Sequence, residues 1–420
     1  MTSPDFRPIL AGIDPDAIIA LARAMIAIPT PTFEEGACAD FLAEHMSRIG
    51  LEVRMMSVPH PTLAGKTTRQ AIGVLRGTGG GRSIMFNAHM DTVPIMSGWT
   101  CDPFQGKFED GWIWGLGAQD DKGGMAAVLV GIEALQRAGV RLAGDIVMCP
   151  VAAHKGGGHG TRAMLRQGVR ADCCVNIEHS ANTISNVIVG SVRIRIRTTS
   201  PGVFFRFTPE ARQSYFNSIE QMAVIMSRLG PSLTAVPQGS WLRFEPHPEL
   251  AGFPMFRYDG IHKDHYGREC ELLLQLRTVP GMTLETMRED LERVLAACRN
   301  DHPSLNFELA IPANGPGDPS YREPSEVAAD DPLVVALAKG YRLATGMEPC
   351  IGSGERIGNV GDGNVLHAQG IPSVQFGPGD IKLYPEWPAP NERAHVSELI
   401  TTARTCMYAA IEICEPSGAR

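Results

Sequence analysis

No stretch of this chain reaches the roughly 18 uninterrupted apolar residues of a membrane-crossing helix. The N-terminal run Met1-Thr2-Ser3-Pro4-Asp5-Phe6-Arg7 has neither the charged start nor the apolar stretch of a secretory signal, so a cytoplasmic location is expected. Positive charge is not in excess either. Lys and Arg number 38 against 46 Asp and Glu, giving a net charge of -8 and a pI near 5.9. Nucleic acid and anionic membrane are thereby excluded as main partners, because phosphate binding wants a basic surface. A small-molecule ligand in a locally basic pocket stays open. None of the ten cysteines forms a Cys-x-x-Cys pair; in a reducing compartment they read as buried thiols, the adjacent Cys173 and Cys174 in an apolar stretch included. Internal repeats and low-complexity tails are missing too.

What is present is a soluble globular composition, 44% hydrophobic and 20% charged over 420 residues, long enough for two or three domains. The early segments alternate between helical and strand periods, the signature of an α/β sheet with helices on its faces. Helices are expected over 15–28, with Asp14 as cap and Pro15 at the first helical position, over 34–49 and over 123–138. Strands are expected over 51–57, 70–76, 83–88 and 145–151, with a last one at 373–376. At 187–199 the texture changes: Val189, Val192, Ile194 and Ile196 alternate with Ser191, Arg193, Arg195 and Arg197, as in a half-exposed antiparallel strand. A helix (211–229), a long irregular stretch, a strand (269–279), a helix (283–299) and a strand (305–311) follow. The expected plan is a domain of residues 1–189 and 312–420 interrupted by a small α+β insert at 190–311. The stretch 229–268, with Trp241, Phe244, Phe253, Phe256 and Tyr258, reads as a lid over a pocket or as dimer packing.

The chemistry begins at His89-Met90-Asp91, where an apolar strand ends in a histidine with an acid two residues on. In a strand those two side chains share a face, so Asp91 is placed to orient the ring and leave its other nitrogen for a metal. Three further features follow: the glycine-punctuated loop Gly115-Leu116-Gly117-Ala118-Gln119-Asp120-Asp121-Lys122-Gly123-Gly124, Glu178 at the end of Val175-Asn176-Ile177, and Trp387-Pro388-Ala389-Pro390-Asn391-Glu392.

With Asp102-Pro103-Phe104 and the run Gly370 to Gly379, these motifs make the chain resemble, over nearly its whole length, the co-catalytic zinc metallopeptidase family of acetylornithine deacetylase, succinyl-diaminopimelate desuccinylase, aminoacylase and glutamate carboxypeptidase. The resemblance implies a mixed sheet flanked by helices, and an inserted lid domain that pairs two chains into a homodimer. The strand at 190–199, with its charged outer face, suits the paired edge. It also implies that Asp120 bridges two ions in the family's pattern, with His89 and Glu178 completing one of them, ligand types that suit zinc or manganese. Asp121 is expected as a surface neighbour, or as the bridging acid if the turn is shifted by one.

The second half of the site departs from that pattern. Where the family carries two glutamates, a general base and a metal ligand, this chain has His154 and Lys155; where it carries a last histidine ligand, this chain has Pro388. Neither lysine nor proline offers a metal a donor at neutral pH. One divalent ion per chain is therefore expected, with the Lys155 ammonium taking the free side of Asp120 in place of the second ion. The alternatives are that Lys155 points to solvent, or that a one-residue slip makes His154 a ligand instead of the base. Counting back from Pro209, the family's histidine that supports the substrate carbonyl falls on Phe205, among Phe204 and Phe207. Such a group is often worth about 10² or more in rate to an amidase. Arg277 and Arg206 are candidates to hold a substrate carboxylate bidentately, and Asp362 matches a turn whose backbone amides line the pocket.

These substitutions suit a single-metal hydrolase whose substrate stabilises its own anionic intermediate, with His154 moving the proton. An electron-poor aromatic amine carboxylate, as in the family's 5-nitroanthranilate aminohydrolase branch, is such a substrate and would release ammonia. A conventional N-acyl amino acid deacylase or dipeptidase, and a non-catalytic metal- or ligand-binding relative, are the alternatives.

Overall fold

The computed structural model describes residues 6–200, 216–233, 235–264, 267–313, 319–353, 360–379 and 388–415. The chain divides into two compact units, Met1–Val187 with Glu326–Arg420, and Ile188–Ser325.

The larger unit is built on an eight-stranded sheet. Its order across the sheet is Glu52–Pro59, Thr67–Leu75, Ile146–Val151, Ile84–His89, Cys173–Asn176, Ser373–Gln375, Ile184–Ser185 and Ile351–Gly352. The first two form an antiparallel hairpin, while Ile146–Val151, Ile84–His89, Cys173–Asn176 and Ser373–Gln375 run parallel at its centre. Parallel strands are covered on both faces, and every residue of Ile84–His89 is buried. Ile84, Phe86 and Ala88 face one core with Val175 and Met125; Met85 faces the other with Cys149, Cys174 and Val365. Helix Pro15–Ile26 is capped by Asp14, whose side chain accepts from the Asp16 amide at 2.9 Å, and it buries Ile18, Ile19, Leu21, Ala22, Met25 and Ile26. Gly36–Arg48, Lys122–Arg137, Pro332–Thr345 and Val396–Cys414 are the other long helices of this unit. Helices Arg7–Ala11, Pro332–Thr345 and Val396–Cys414 lie in stretches for which the sequence pattern had suggested no helix.

The smaller unit is a four-stranded antiparallel sheet, in the order Met255–Lys263, Glu269–Thr278, Gly190–Thr199 and Phe307–Ala310, with helices Ser218–Leu229 and Leu284–Asp301. Two expectations are corrected here. Part of the supposedly irregular 229–268 stretch is the strand Met255–Lys263, and its aromatics pack within the unit: Trp241 and Tyr258 meet Phe256 edge-on at 5.5 and 5.9 Å. Strand Gly190–Thr199 is internal rather than an edge, because Glu269–Thr278 pairs along its whole length and Phe307–Ala310 covers the opposite side at Arg195–Thr198. The unit reaches Ser325, and Arg322 bridges to Ser191. Residues 201–210, which carry Phe205 and Arg206, lie outside the described residues, as does the start expected for the 211–229 helix.

No described helix is long and apolar enough to cross a membrane. Eight of the ten cysteines are buried; Cys101 is intermediate and Cys350 exposed. Phe86, fully buried at the centre of the sheet, should dominate the larger core: Phe86→Ala is expected to cost about 3–5 kcal/mol. Urea unfolding measures it, and a loss below about 1 kcal/mol would contradict this account of the packing.

Candidate metal centre

Four parallel strands end side by side, and their carboxyl-terminal ends deliver His89, the His154 loop, Glu178 and Gly377 to one place. Such ends are where open α/β sheets bind ligands. The His89 ring is fixed from both sides: Nδ1 lies 2.8 Å from the Asp91 main-chain carbonyl and Nε2 lies 2.8 Å from Asp120 Oδ1. Burial and then Lys155 push the His89 pKa down, but Asp120 and Asp91 more than offset them and the net shift is upward. Nε2 and Asp120 Oδ1 thus face each other directly.

The orienting acceptor is the backbone of Asp91, where its carboxylate was expected; that carboxylate stands 3.8 Å from Nδ1. The strand stops at His89, so the shared-face rule ends two residues short of Asp91. Freed from that role, the Asp91 carboxylate accepts the amides of His154 and Lys155, each at 2.9 Å, and the Thr32 hydroxyl at 3.0 Å. It holds the loop that carries His154 and Lys155.

Lys155 turns its ammonium inward, to 2.7 Å from Asp120 Oδ2, although its side chain keeps 24% of its surface open. Burial opposes the charge on each partner, yet Lys155, followed by His179 and His89, holds Asp120 well below the usual carboxylate range. Asp120 in turn raises Lys155. Asp121 is not a surface residue. It is fully buried, its Oδ2 accepts the His89 amide at 3.2 Å, and burial with Glu178 and Asp120 beside it drives its pKa well up, toward a neutral acid.

Glu392, in the Pro390-Asn391-Glu392 run, clamps the Asp120 loop. Its carboxylate accepts the amides of Gly117, Gln119 and Asp120 at 2.8, 3.0 and 3.0 Å, and its carbonyl accepts that of Gly115 at 2.9 Å. Pro388, two positions before this run, is exposed. On the far side of the site His154 stacks on His89, ring centroids 4.4 Å apart and planes within 8°. Its Nδ1 lies 3.1 Å from Asp362 Oδ1, and Thr161 donates to Asp362 Oδ2 at 2.8 Å. Asp362 therefore enters through its buried carboxylate, while the amides beside it are engaged: Gly361 donates to Asn364 and Gly363 to Asn176.

The donors fit a divalent ion. His89, His154 and Glu178 each offer an atom within 4.8 Å of the others, and so do Asp120, Glu178 and His179. Glu178 Oε1 is buried with no hydrogen-bond partner among the described residues, which is costly unless something cationic meets it. Imidazole and carboxylate together suit zinc or manganese.

A family model described as peptidase family M20/M25/M40 matches residues 85–412. The chain belongs to this family. At 26% identity, over 97% of both chains, it is similar to the N-formyl-4-amino-5-aminomethyl-2-methylpyrimidine deformylase of Halalkalibacterium halodurans. At 26% identity, over 86% of this chain and 90% of the other, it is similar to the succinyl-diaminopimelate desuccinylase of Methylorubrum extorquens. Among solved structures, human carnosine dipeptidase 1 shares the fold with a TM-score of 0.70 at 14% identity, over 98% of this chain and 99% of that one. A family M20 metallo-carboxypeptidase from Sulfolobus solfataricus gives a TM-score of 0.72 at 15% identity, over 94% and 99%. As an M20 chain this protein is a hydrolase acting on C–N bonds.

Around the M20 centre, sequence reasoning missed His179, the Glu392 clamp and Glu35. His179 adjoins a candidate ligand, and Glu392 sits in a motif already singled out; both signals were available. Glu35 carried none. Its buried Oε1 accepts the amides of Phe33 and Ala153, both at 2.9 Å, tying the His154 loop from below. Arg277 belongs to the smaller unit, where burial, Arg322 and Arg257 push its pKa down to about 10.

Two outcomes follow. Glu392 is raised from 4.5 to about 8, chiefly by burial and then by Asp120, so the folded metal-free state binds the extra proton between those values. The stability difference between wild type and Glu392→Gln should therefore fall as pH rises from about 4.5 through about 8; denaturation across that range measures it, and a rising difference would contradict the burial. A Cβ on Gly377 would lie 2.4 Å from the Glu178 carbonyl. Gly377→Ala should displace Glu178 and weaken metal binding about tenfold or more, read by competition with a chromophoric chelator.

Proposed function

We propose that this chain is a single-metal hydrolase that deaminates a small, electron-poor aromatic amine carrying a carboxylate. Water replaces the amino group on the ring carbon, so aryl amine and water give a hydroxyarene and ammonia. The observation that carries this reading is the 2.7 Å contact of Lys155 Nζ with Asp120 Oδ2. It sets a tethered ammonium against the oxygen that a second ion would need. His89, Asp120 and Glu178 would hold the remaining ion. When bound, it supplies Lewis acidity and a hydroxide nucleophile near neutral pH.

The chain's own groups supply the rest. His154, backed by Asp362 at 3.1 Å, takes the proton from the attacking water and returns one to the departing amine. Lys155 keeps Asp120 ionised and in place. Attack on an electron-poor ring spreads the negative charge through the ring, so no separate oxyanion donor is needed, in keeping with Phe205 at the position where the family resemblance implies a histidine. Arg277 and Arg206 are the proposed holders of the substrate carboxylate, and a homodimer is the proposed assembly.

A second reading is favoured by the full-length similarity to a deformylase acting on an aminopyrimidine: hydrolysis of an N-acyl bond, with His154 as base. The two readings differ in product. Manganese- and zinc-loaded protein incubated with nitro-substituted aminobenzoates should release ammonia and the matching hydroxybenzoate. Hydrolysis of N-formyl or N-succinyl amines with no ammonia from any aryl amine would overturn the deaminase reading. His154→Ala should lower kcat by about 10²–10⁴ with whichever substrate is turned over; an unchanged kcat would remove His154 from the chemistry.

A further inference from the structure

His179, next in the chain to the candidate ligand Glu178, points at the same two carboxylates as the proposed ion. It is 6% exposed along its side chain, and its Nδ1 lies 3.5 Å from Asp120 Oδ1 and 3.7 Å from Glu178 Oε2. Consecutive residues in a strand would face opposite ways. Here the strand has ended at Asn176, and the turn beyond it is tight: the Ser180 amide donates to the Glu178 carbonyl at 2.7 Å, and Ser180 Oγ accepts the Gly377 amide at 3.0 Å. The turn lets Glu178 and His179 face the site together.

We infer that His179 Nδ1 is a protein ligand of the ion, completing with His89, Asp120 and Glu178 a set of two imidazoles and two carboxylates. The inference rests on the single-ion reading above. The competing imidazole is His154, and ring geometry argues against it. An ion about 2.1 Å from an imidazole nitrogen lies near the plane of that ring. The rings of His89 and His154 are stacked, with planes within 8° and centroids 4.4 Å apart, so one ion cannot lie in the plane of both. His154 also has its Nδ1 turned to Asp362, which suits a group that passes protons. His179 supplies a second nitrogen close to the same Asp120 oxygen, Oδ1, that faces His89.

The chain thereby compensates for Lys155 and Pro388 with a donor taken from a neighbouring position, and keeps four protein ligands on one ion. Open coordination positions then remain only if the ion takes five or six ligands, as manganese does more readily than zinc.

The test uses Co²⁺ as probe on the full chain, with affinity read by chelator competition and ligand field by the visible spectrum of the Co²⁺-loaded protein. His179→Ala and His179→Gln are each expected to lose about 100-fold or more in affinity, beyond the effect of most outer-sphere changes, and to alter the spectrum. His154→Ala should leave both close to wild type. Equal melting temperatures of the metal-free proteins establish that the fold is intact, and the glutamine variant serves if alanine unfolds the chain. Wild-type affinity and spectrum in a folded His179 variant, or loss of both in His154→Ala instead, would overturn the assignment. Because no substrate enters the measurement, failure of the aryl amine reading leaves its outcome unaffected.

Discussion

The contact between Lys155 and Asp120 is the constraint on which the centre depends. Asp120 has two oxygens, one facing His89 and one facing the lysine ammonium. A second divalent ion would have to displace a partly exposed ammonium from its buried counter-ion, and removing that ammonium alone would leave the Asp120 carboxylate uncompensated in a poorly solvating place. In the single-ion proposal this pair would limit the number of ions as well as set local charge. It also keeps the carboxylate ionised against the cost of burial, which an acid in a closed site would otherwise avoid by taking up a proton.

Several buried carboxylates hold that contact in place through main-chain amides. Glu392 gathers three amides of the Asp120 loop, Asp91 gathers the amides of His154 and Lys155, and Glu35 ties Ala153 to Phe33. Each satisfies backbone donors that would be unpaired at the ends of buried strands. The Pro-Asn-Glu run has a structural task here, through the Glu392 carboxylate that gathers the Asp120 loop.

How much of this was legible in the sequence differs from element to element. The buried strand Ile84–His89, the capped helix Pro15–Ile26 and the glycine loop before Lys122 follow from local period and cap chemistry, and the structure has them within a few residues. The strand Met255–Lys263 was not legible, because its outward positions carry Arg257, Asp259 and His262 and a bulge at Tyr258–Gly260 breaks the alternation. In the site, ligand types showed where they stood in strand ends and motifs. The exchange of Asp91's carboxylate for its carbonyl did not, since it depends on the residue at which the strand stops. Nor did the burial of Asp121 or the inward turn of His179, which are set by how a loop closes in three dimensions.

The most direct measurement is the number of ions per chain, by elemental analysis of protein purified without chelator and loaded separately with manganese and zinc. One tightly held ion per chain is expected with either metal, unchanged when the metal is in excess. Two tightly held ions would mean that Lys155 does not occupy the second position, and would contradict the single-ion reading.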